Sequence, residues 1–292
     1  MRPKAIVTGI SGFLGRNLAE ALVDEGYLVT GVDCQESHFS NPAITFLRAD
    51  IRDFQPLVEY FSGAKEVFHC AALSDIEACA LDPTAAVEVN VIGTLNALKA
   101  AHAARVERFL LASSLYALSS KGSVYRTTKA ASENLVLDFA NEYGLAYTIL
   151  RFGSLYGPGS SPGNAIKRIL SQAITTGTVQ YWGDGSELRE FIHIRDAAYL
   201  SVLAKQSRFE NTTLHLVGNE KLTTRQLLSM VSEMLGGNLS ISYEAQPIKG
   251  RYHMTPYTFR SHSNIGQRLY SDTYVDFGVG LIEVMHEIEE GR

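Results

Sequence analysis

Short apolar runs alternate with longer amphipathic runs through the first two-thirds of the 292-residue chain. Each short run predicts a buried strand, and each longer run, apolar at every third or fourth position, predicts a helix. This alternation predicts a doubly wound α/β fold, in which helices cover both faces of a parallel sheet. The predicted strands are residues 4–8, 27–33, 44–49, 66–72, 109–114 and 146–152, and the long helices between them are 12–25, 83–104 and 127–143.

After Arg151 the alternation becomes less regular, and a segment rich in Gly, Pro and Ser occupies residues 157–163. That composition is typical of a loop or a domain boundary. Beyond it the pattern predicts helices at 164–175, 191–205 and 224–235, a strand at 213–217, and a polar segment rich in Tyr and Ser at 243–274. We therefore expect one large domain formed by 1–156 with 189–217, and a smaller mixed α/β domain formed by 157–188 with 218–292.

A glycine-rich turn follows the first predicted strand directly and precedes the first helix. Its glycines stand at positions 9, 12 and 15. Gly9 permits a tight turn, Gly12 lets the backbone approach a pyrophosphate, and Gly15 lets the helix pack closely on the strand. The N–H groups at the start of the helix then face the phosphates. The turn predicts a Rossmann-like dinucleotide site, and the alternative is a turn with a structural role only.

Two acidic residues end the second and third predicted strands, where the adenosine of a dinucleotide would lie. We expect Asp33 to accept hydrogen bonds from the ribose hydroxyls and to repel a 2′-phosphate, which favours NAD over NADP. Neither neighbouring position, Cys34 or Gln35, supplies an arginine that would offset this repulsion. We expect Asp50 to accept a hydrogen bond from the adenine amino group. The alternative is that both are ordinary solvent-facing residues at the ends of strands.

A tyrosine and a lysine lie four residues apart at the start of a predicted helix, after a strand that ends in Ser113 and Ser114. This spacing places Tyr125 and Lys129 on one helical face. A nearby ammonium and a positively charged nicotinamide would lower the tyrosine pKa from about 10. Tyr125 would then remove a hydroxyl proton while a hydride leaves the same carbon, and Ser114 would hold the reacting oxygen. The alternative is an exposed Tyr and Lys pair beside a plain strand end.

Composition narrows the classes of function. The net charge is −5 with no long basic run, which argues against nucleic acid or an anionic membrane as a partner. No apolar run is long enough to span a membrane, and we see no signal-peptide pattern. Three cysteines without CxxC spacing argue against disulfides and a metal site, and favour a reducing, cytoplasmic location.

Together the motifs resemble the extended short-chain dehydrogenase/reductase superfamily, and within it the NAD-dependent epimerase/dehydratase family that acts on nucleotide sugars. The resemblance rests on the glycine turn at 8–15, on Ser113 and Ser114, and on the Tyr125 and Lys129 pair. It extends to the segments 69–72, 90–94, 151–159 and 189–196. The resemblance implies NAD as the cofactor, Tyr125, Lys129 and Ser114 as catalytic residues, and Lys129 bonded to the nicotinamide ribose.

The same resemblance implies further binding residues. Those expected at the cofactor, besides the glycines, Asp33 and Asp50, are Phe13, Leu14, Ile51, Ala71, Ala72 and Asn90. Those expected at the nucleotide-sugar substrate, besides Ser114, are Tyr116, Asn164, Arg189 and Arg251. The guanidinium groups suit contacts with the substrate diphosphate. No metal is implied.

Three functions remain open at this point. The first is a nucleotide-sugar 4-epimerase, for a UDP-hexose, that oxidises and re-reduces the sugar with tightly bound NAD. The second is an NAD-dependent nucleotide-sugar dehydrogenase or 4-ketoreductase with exchangeable cofactor, because only eleven positions separate Ser114 from Tyr125, fewer than the family usually has. The third is a non-catalytic NAD-binding scaffold, against which the intact Ser, Tyr and Lys argue. Dehydratases and decarboxylases of the family carry an acid after the catalytic Ser, where this chain has Leu115.

The resemblance also implies a homodimer formed by two helices from each subunit, here 83–104 and 127–143. The alanines of the first helix would permit close approach of a partner helix, although they suit the interior of a monomer equally well. These alanines are Ala97, Ala100, Ala101, Ala103 and Ala104.

Overall fold

The computed structural model describes residues 2–244 and 266–291. Its strands, in chain order, are β1 (Lys4–Thr8), β2 (Leu28–Asp33), β3 (Ile44–Arg48), β4 (Glu66–His69), β5 (Arg108–Ser114), β6 (Tyr147–Phe152), β7 (Ser154–Tyr156), β8 (Thr178–Trp182), β9 (Leu188–His193), β10 (Thr212–Leu216), β11 (Lys221–Thr223), β12 (Ser240–Glu244) and β13 (Gln267–Arg268). Its α-helices are α1 (Phe13–Asp24), α2 (Phe54–Tyr60), α3 (Ile76–Leu81), α4 (Pro83–Val87), α5 (Gly93–Ala103), α6 (Ser123–Tyr143), α7 (Ala165–Thr176), α8 (Ile194–Leu203), α9 (Thr224–Met234) and α10 (Phe277–Glu290).

Eight strands form a central sheet in the order β13-β10-β6-β5-β4-β1-β2-β3, and all their pairings are parallel. The strand order reverses between β1 and β4, so the loops after these two strands open a crevice at the carboxyl edge of the sheet. Two smaller sheets lie outside it. One joins β7, β9 and β11, and the other pairs β8 with β12. The predicted doubly wound α/β fold is confirmed.

Alternating side chains of the central strands enter two cores, one on each face of the sheet. On one face Ala5 and Val7 of β1 pack with residues of α1 and α8. On the other face Ile6 of β1 packs with residues of α2, α5 and α6. A third core joins α7, β8, α9 and α10 beyond the central sheet. The glycine turn and α6 are therefore fixed on the sheet, while the third core supports the opposite wall of the crevice.

Most predicted elements begin and end within a few residues of the observed ones, and the helix predicted at 191–205 is the main error. Residues 191–193 belong to β9, and α8 begins only at Ile194. The helix starts there because the imidazole Nδ1 of His193 accepts a hydrogen bond from the N–H of Arg195, 3.3 Å away. Apolar periodicity alone does not show such a cap. Of the polar segment 243–274, residues 245–265 lie outside the described residues.

The helix predicted at 83–104 is interrupted. A π-helical turn over Glu88–Ile92 separates α4 from α5. Within it the carbonyl oxygen of Asn90 accepts hydrogen bonds from Thr94 Oγ1, at 2.6 Å, and Ser132 Oγ, at 2.7 Å. Three of the alanines proposed to face a partner helix, Ala97, Ala100 and Ala101, are instead fully buried in the core of their own chain. For these three residues the structure shows the alternative, the interior of a monomer.

Within residues 2–244 and 266–291, no helix is long and apolar enough to cross a membrane. No group of three or more His, Cys, Asp and Glu side chains within the same residues is arranged to hold a metal ion.

Candidate active site

One cleft of about 680 Å³ follows the carboxyl edge of the central sheet. Of the predicted site residues, Asn90 is buried nearby and does not line the cleft. Arg251 lies outside the described residues. The predicted residues that line the cleft are Gly9, Gly12, Phe13, Leu14, Gly15, Asp33, Asp50, Ile51, Ala71, Ala72, Ser114, Tyr116, Tyr125, Lys129, Asn164 and Arg189.

The glycine turn forms one wall of this cleft. Gly9 has a φ of +71°, and a Cβ there would lie 2.6 Å from the backbone nitrogen of Ala71. A Cβ on Gly15 would meet the carbonyl oxygen of Gly9. Gly12 precedes α1, whose first N–H groups receive no side-chain cap. Uncapped N–H groups beside an open backbone fit the pyrophosphate of a dinucleotide.

The two predicted acids line the cleft where β2 and β3 end. The Asp33 carboxylate accepts hydrogen bonds from the N–H groups of Ser11, at 3.0 Å, and Gln35, at 2.9 Å, so its position is fixed beside the glycine turn. Asp50 instead forms an ion pair with Arg52 at 2.7 Å, and hydrogen bonds from Arg52 hold the pKa of Asp50 below its usual range. Two carboxylates here match hydroxyl and amino donors of a nucleoside.

Small residues at the end of β4 leave room for the far half of a dinucleotide. Ala71 and Ala72 line the cleft directly after this strand. Beneath them the imidazole of His69 is buried between Thr8 Oγ1, at 2.8 Å, and Thr94 Oγ1, at 3.1 Å. Burial lowers the pKa of His69 to about 3, so the ring is neutral and has a packing role at neutral pH.

The structure brings Ser114, Tyr125 and Lys129 together at the other end of the cleft. Ser114 ends β5, and its Oγ accepts a hydrogen bond from the N–H of Tyr116 at 3.2 Å. Tyr125 lies in the first turn of α6, which begins earlier than predicted and so includes it. Lys129 follows one helical turn later, and its Nζ donates a hydrogen bond to the carbonyl oxygen of Ala112 at 2.9 Å.

Burial dominates the pKa values of the two titratable groups in this trio. Burial raises the pKa of Tyr125 to about 12, and a hydrogen bond with the Ser114 side chain offsets only part of this effect. Burial lowers the pKa of Lys129 to about 8. In this structure desolvation of the phenol dominates the pKa of Tyr125, and the lowering expected from Lys129 together with a bound nicotinamide stays a prediction.

A buried polar network supports the trio from below. The Glu133 carboxylate, one turn after Lys129 in α6, accepts hydrogen bonds from Ser113 Oγ, at 2.5 Å, and from two nitrogens of Arg151, at 2.9 and 2.6 Å. Ser113 belongs to β5 and Arg151 to β6. The network thus fastens α6 to the two strands beneath it, and sequence reasoning missed it because a buried Glu has no signature in one sequence.

Asn90 supports the cleft by linking the loop after β4 to α6. Its side-chain amide donates to the carbonyl oxygen of Leu73 and to Thr128 Oγ1, both at 3.0 Å, and its Oδ1 accepts from the N–H of Leu73 at 2.7 Å. These bonds hold the loop after β4 against α6. Its role as a cofactor contact stays a prediction.

Two of the residues expected at the substrate, Asn164 and Arg189, lie on the wall opposite the trio, and Tyr116 lies beside the trio. Asn164 caps α7 by accepting from the N–H of Ile166, at 3.1 Å, and its Nδ2 donates to the carbonyl oxygen of Leu155 at 2.8 Å. Arg189 is largely buried in β9 and lines the cleft. The ring of Tyr116 stands edge-on to that of Tyr125, with centroids 6.2 Å apart.

Several charged residues that the sequence analysis did not single out also line the cleft. They are Arg52, Asp75, Glu77 and Arg168. A signal for two of them existed, since Asp75 and Glu77 follow a strand at the carboxyl edge of the sheet, as Asp33 and Asp50 do. Arg168 lies one helical turn after Asn164 in α7, where its position alone indicates no ligand.

The chain is similar in sequence to a known protein family and to individual curated proteins. Residues 5–215 match the family model described as the NAD dependent epimerase/dehydratase family. Among curated proteins, the chain is 27% identical to the UDP-glucuronate 4-epimerase of Thermodesulfobacterium geofontis over 267 residues, which cover 82% of each protein. It is also 27% identical to the dTDP-glucose 4,6-dehydratase of Streptomyces antibioticus over 258 residues, which cover 79% of this chain and 77% of that one.

Solved structures share the fold. The UDP-glucuronic acid 4-epimerase from Bacillus cereus, in complex with UDP-glucuronic acid and NAD, superimposes with a TM-score of 0.86 over 99% of this chain and 100% of its own, at 22% identity. MoeE5 in complex with UDP-glucose and NAD gives a TM-score of 0.84 over 99% of each chain, at 24% identity.

Proposed function

We propose that this chain, which belongs to the NAD dependent epimerase/dehydratase family, is a nucleotide-sugar 4-epimerase acting on a UDP-hexose. NAD is the cofactor of the family, and the glycine turn, the uncapped start of α1 and Asp33 fit it. The observation that carries the proposal is the convergence of Ser114, Tyr125 and Lys129 at the end of the cleft opposite the adenosine residues.

The trio supplies the proton transfer that a 4-epimerase needs. NAD, held by the glycine turn and Asp33, would supply the hydride acceptor and donor for the sugar C4. Tyr125 takes the proton of the 4-hydroxyl and later gives it back, while Ser114 orients the oxygen by a hydrogen bond. Lys129 uses one of its three donors on Ala112 and has further protons to direct towards a ribose or the phenol. The 4-keto sugar turns within the cleft between the two hydride steps.

The neighbourhood of Ser114 favours epimerisation over elimination. The resemblance to the family implies that dehydratases carry an acid directly after the catalytic serine. The next residue, Leu115, is fully buried, and Tyr116 packs edge-on against Tyr125. The relatives include both classes of enzyme, a 4-epimerase and a 4,6-dehydratase. We therefore place this chain with the epimerases.

A second candidate is a nucleotide-sugar dehydrogenase or 4-ketoreductase with exchangeable cofactor. The short connection between Ser114 and Tyr125 favours it, because only the 3₁₀ turn Leu115–Leu118 and four further residues lie between β5 and α6. Gly122 and Ser123 take positive φ values there, +110° and +53°, so that the chain turns sharply into α6. A shorter connection covers less of the cleft, so the cofactor dissociates more easily.

In this proposal the substrate nucleotide binds at the wall formed by β9 and α7. Arg189 and the N-terminus of α7 line the cleft and suit a diphosphate. Accordingly we propose that residues 1–156 with 189–217 hold NAD, and that 157–188 with 218–292 hold the nucleotide sugar. The third core, which joins α7, β8, α9 and α10, supports such a division. Arg251 stays a prediction.

We also propose a homodimer through α4, α5 and α6. Val87 and Ile92, on the helical segment that the π turn interrupts, are 43% and 44% exposed, and Leu81 at the end of α3 is 87% exposed. Apolar side chains exposed this close together are typical of an interface. An Ile92→Asp variant, compared with wild type by light scattering, tests this assignment. We expect the variant to be monomeric and wild type dimeric. The cytoplasmic location also stays a prediction.

Mass spectrometry of the small molecules released by denaturing fresh protein tests the function. The epimerase predicts close to one NAD per chain, together with 4-epimerisation of UDP-galactose. Tyr125→Phe should keep the NAD and lose turnover. Protein that is empty of NAD, exchanges it freely and catalyses only net oxidation or reduction would favour the second candidate. Near-normal epimerisation by Tyr125→Phe would remove this residue from the mechanism.

A further inference from the structure

The loop between β7 and α7 belongs to the wall of the cleft that also includes the start of α7. Two of its residues, Ser161 and Gly163, line the cleft, and Asn164 follows them as the cap of α7. The loop contains two glycines with positive φ, Gly157 at +136° and Gly159 at +81°. Glycine has more conformations available than other residues. Contacts from outside the loop must therefore select the conformation that lines the cleft.

Two charged side chains hold consecutive residues of this loop. The Glu287 Oε1 atom of α10 accepts a hydrogen bond from the N–H of Gly159 at 3.1 Å. The Lys167 Nζ atom of α7 donates a hydrogen bond to the carbonyl oxygen of Ser160 at 2.9 Å. Lys167 Nζ also lies 3.0 Å from Glu287 Oε1, so the two side chains form an ion pair. One pair of charges thus holds the loop backbone at an N–H group and at the next carbonyl.

This pair is less exposed than an ordinary surface ion pair. The Lys167 side chain is 18% exposed and the Glu287 side chain is 33% exposed. Ser160, whose carbonyl oxygen the lysine binds, is only 3% exposed. Fully exposed ion pairs contribute little, because water competes for both charges. Hydrogen bonds between an ionised group and the backbone are stronger than neutral ones, and partial burial strengthens them further. We therefore expect the pair to hold one conformation of the loop.

The helix that carries Glu287 is itself fixed against both elements of the substrate wall. Leu281 of α10 and Leu170 of α7 share one buried core. Glu283, one turn before Glu287, accepts a hydrogen bond from Arg195 of α8 at 2.6 Å. Since α8 follows β9 directly, α10 connects the two elements to which the proposed function assigns the substrate nucleotide, β9 and α7. Glu287 therefore extends towards the loop from a fixed position.

We propose that Glu287 and Lys167 are positioning residues for the nucleotide sugar, because they hold residues 157–163 in the conformation that lines the substrate wall. The inference rests on the proposed function and adds two residues that act on the site from outside. Neither side chain lines the cleft, so their effect passes through the backbone of Gly159 and Ser160.

Loss of the pair should weaken substrate binding selectively. The loop would then occupy the binding conformation for only a fraction of the time, and the apparent dissociation constant would rise by the inverse of that fraction. The glycine turn and the catalytic trio belong to β1, α1, β5 and α6, which the pair does not contact. NAD retention should therefore stay unchanged, which distinguishes positioning of the substrate wall from a general loss of structure.

Calorimetric titration of the full chain, loaded with NAD, with UDP-glucose and with UDP measures this effect. We expect Glu287→Met to raise both dissociation constants about tenfold, as for a loop in the binding conformation about a tenth of the time. NAD per chain should stay as in wild type. Glu287→Gln keeps an oxygen that accepts from the Gly159 N–H. It should remain within about threefold of wild type, because it loses only the ion pair.

Further variants test the pair as a unit. Lys167→Met keeps the aliphatic stem, removes the donor and should raise the dissociation constants as Glu287→Met does. The double variant Lys167→Met/Glu287→Met should bind no more weakly than the weaker single variant, because residues of one network are not additive. The matched control is Glu289→Met, which removes an exposed glutamate of α10 that does not line the cleft. It should bind both nucleotides as wild type does.

Amide deuterium exchange gives a second readout that needs no substrate. In Glu287→Met the amides of residues 157–166 should exchange about tenfold faster than in wild type, while those of α6 keep their rates. Unchanged affinity of Glu287→Met for both nucleotides, equal losses in Glu287→Gln and Glu287→Met, or a parallel loss of NAD would overturn the inference. If wild type binds neither nucleotide, the proposed function fails and exchange alone decides: faster exchange confined to the loop supports its fixation by the pair, and unchanged exchange overturns it.

Discussion

Arg151→Met removes one half of the buried ion pair beneath the catalytic trio. In the native structure the Arg151 guanidinium and the Glu133 carboxylate approach to 2.6 Å, and the two side chains are only 4% and 8% exposed. The substitution keeps much of the aliphatic volume of Arg151. It leaves Glu133, however, buried with the hydroxyl of Ser113 as its remaining side-chain hydrogen-bond donor among the bonds described above.

An unpaired buried charge is costly. Breaking such a pair typically lowers the free energy of unfolding by about 3–5 kcal/mol, which is roughly a hundredfold or more in the folding equilibrium constant. The double variant Arg151→Met/Glu133→Leu should recover most of this loss, because it removes the stranded charge as well. Since Glu133 lies one turn after Lys129, we also expect the single variant to lower kcat.

Urea unfolding followed by far-ultraviolet circular dichroism measures the effect. The matched control is Arg195→Met, whose partner Glu283 lies at the same 2.6 Å distance, but whose side chain is 57% exposed. We expect this exposed pair to contribute less than about 1 kcal/mol. If Arg151→Met lowers the free energy of unfolding no more than Arg195→Met does, the claim that burial makes the pair of Arg151 and Glu133 important for stability is refuted.

Three further predictions concern the cofactor site and its support. Gly15→Ala places a Cβ against the carbonyl oxygen of Gly9 and should weaken NAD retention about tenfold or more, measured as NAD per chain after gel filtration; full retention would contradict the fit of the turn. Asp33→Asn should raise the ratio of NADP to NAD affinity about tenfold, measured by titration, and an unchanged ratio would mean that Asp33 does not contact the ribose. Burial lowers the pKa of His69 from 6.5 to about 3, so the unfolded chain binds more protons in this window and stability falls as the pH falls, by up to about 1.4 kcal/mol per pH unit. His69→Gln should flatten this dependence in urea unfolding at several pH values, and equal slopes would contradict it.

The fold was largely predictable because the strands of the central sheet have apolar centres. β4 and β5 are buried along their whole length, and their central residues, 67–68 and 109–112, are apolar. Apolar periodicity did not predict two features. At the start of α8 the His193 side chain caps the helix. At the π-helical turn the carbonyl oxygen of Asn90 accepts hydrogen bonds from hydroxyl groups. The cap at His193 is local, but histidine is not a typical N-cap residue, and the contact between Ser132 and Asn90 joins residues 42 positions apart.

The site was predictable to the extent that local motifs define it. The glycine turn, Asp33, Ser114, Tyr125 and Lys129 belong to elements whose order already places them at one sheet edge. Asp75 and Glu77 were only partly predictable: both follow β4 at the carboxyl edge of the sheet, but they line the cleft through the packing of α3 on α6. The pKa of Tyr125 was also unpredictable, since it depends on how completely the fold removes the phenol from water.

Epimerisation of UDP-galactose deuterated at C4 tests the central claim most directly. If a hydride is removed from C4 and returned within one site, the UDP-glucose formed keeps its deuterium at C4, and no free NADH accumulates. Proton and deuterium NMR of the product follows both atoms. Loss of the label to solvent, stoichiometric release of NADH, or the absence of any 4-epimer would contradict the account.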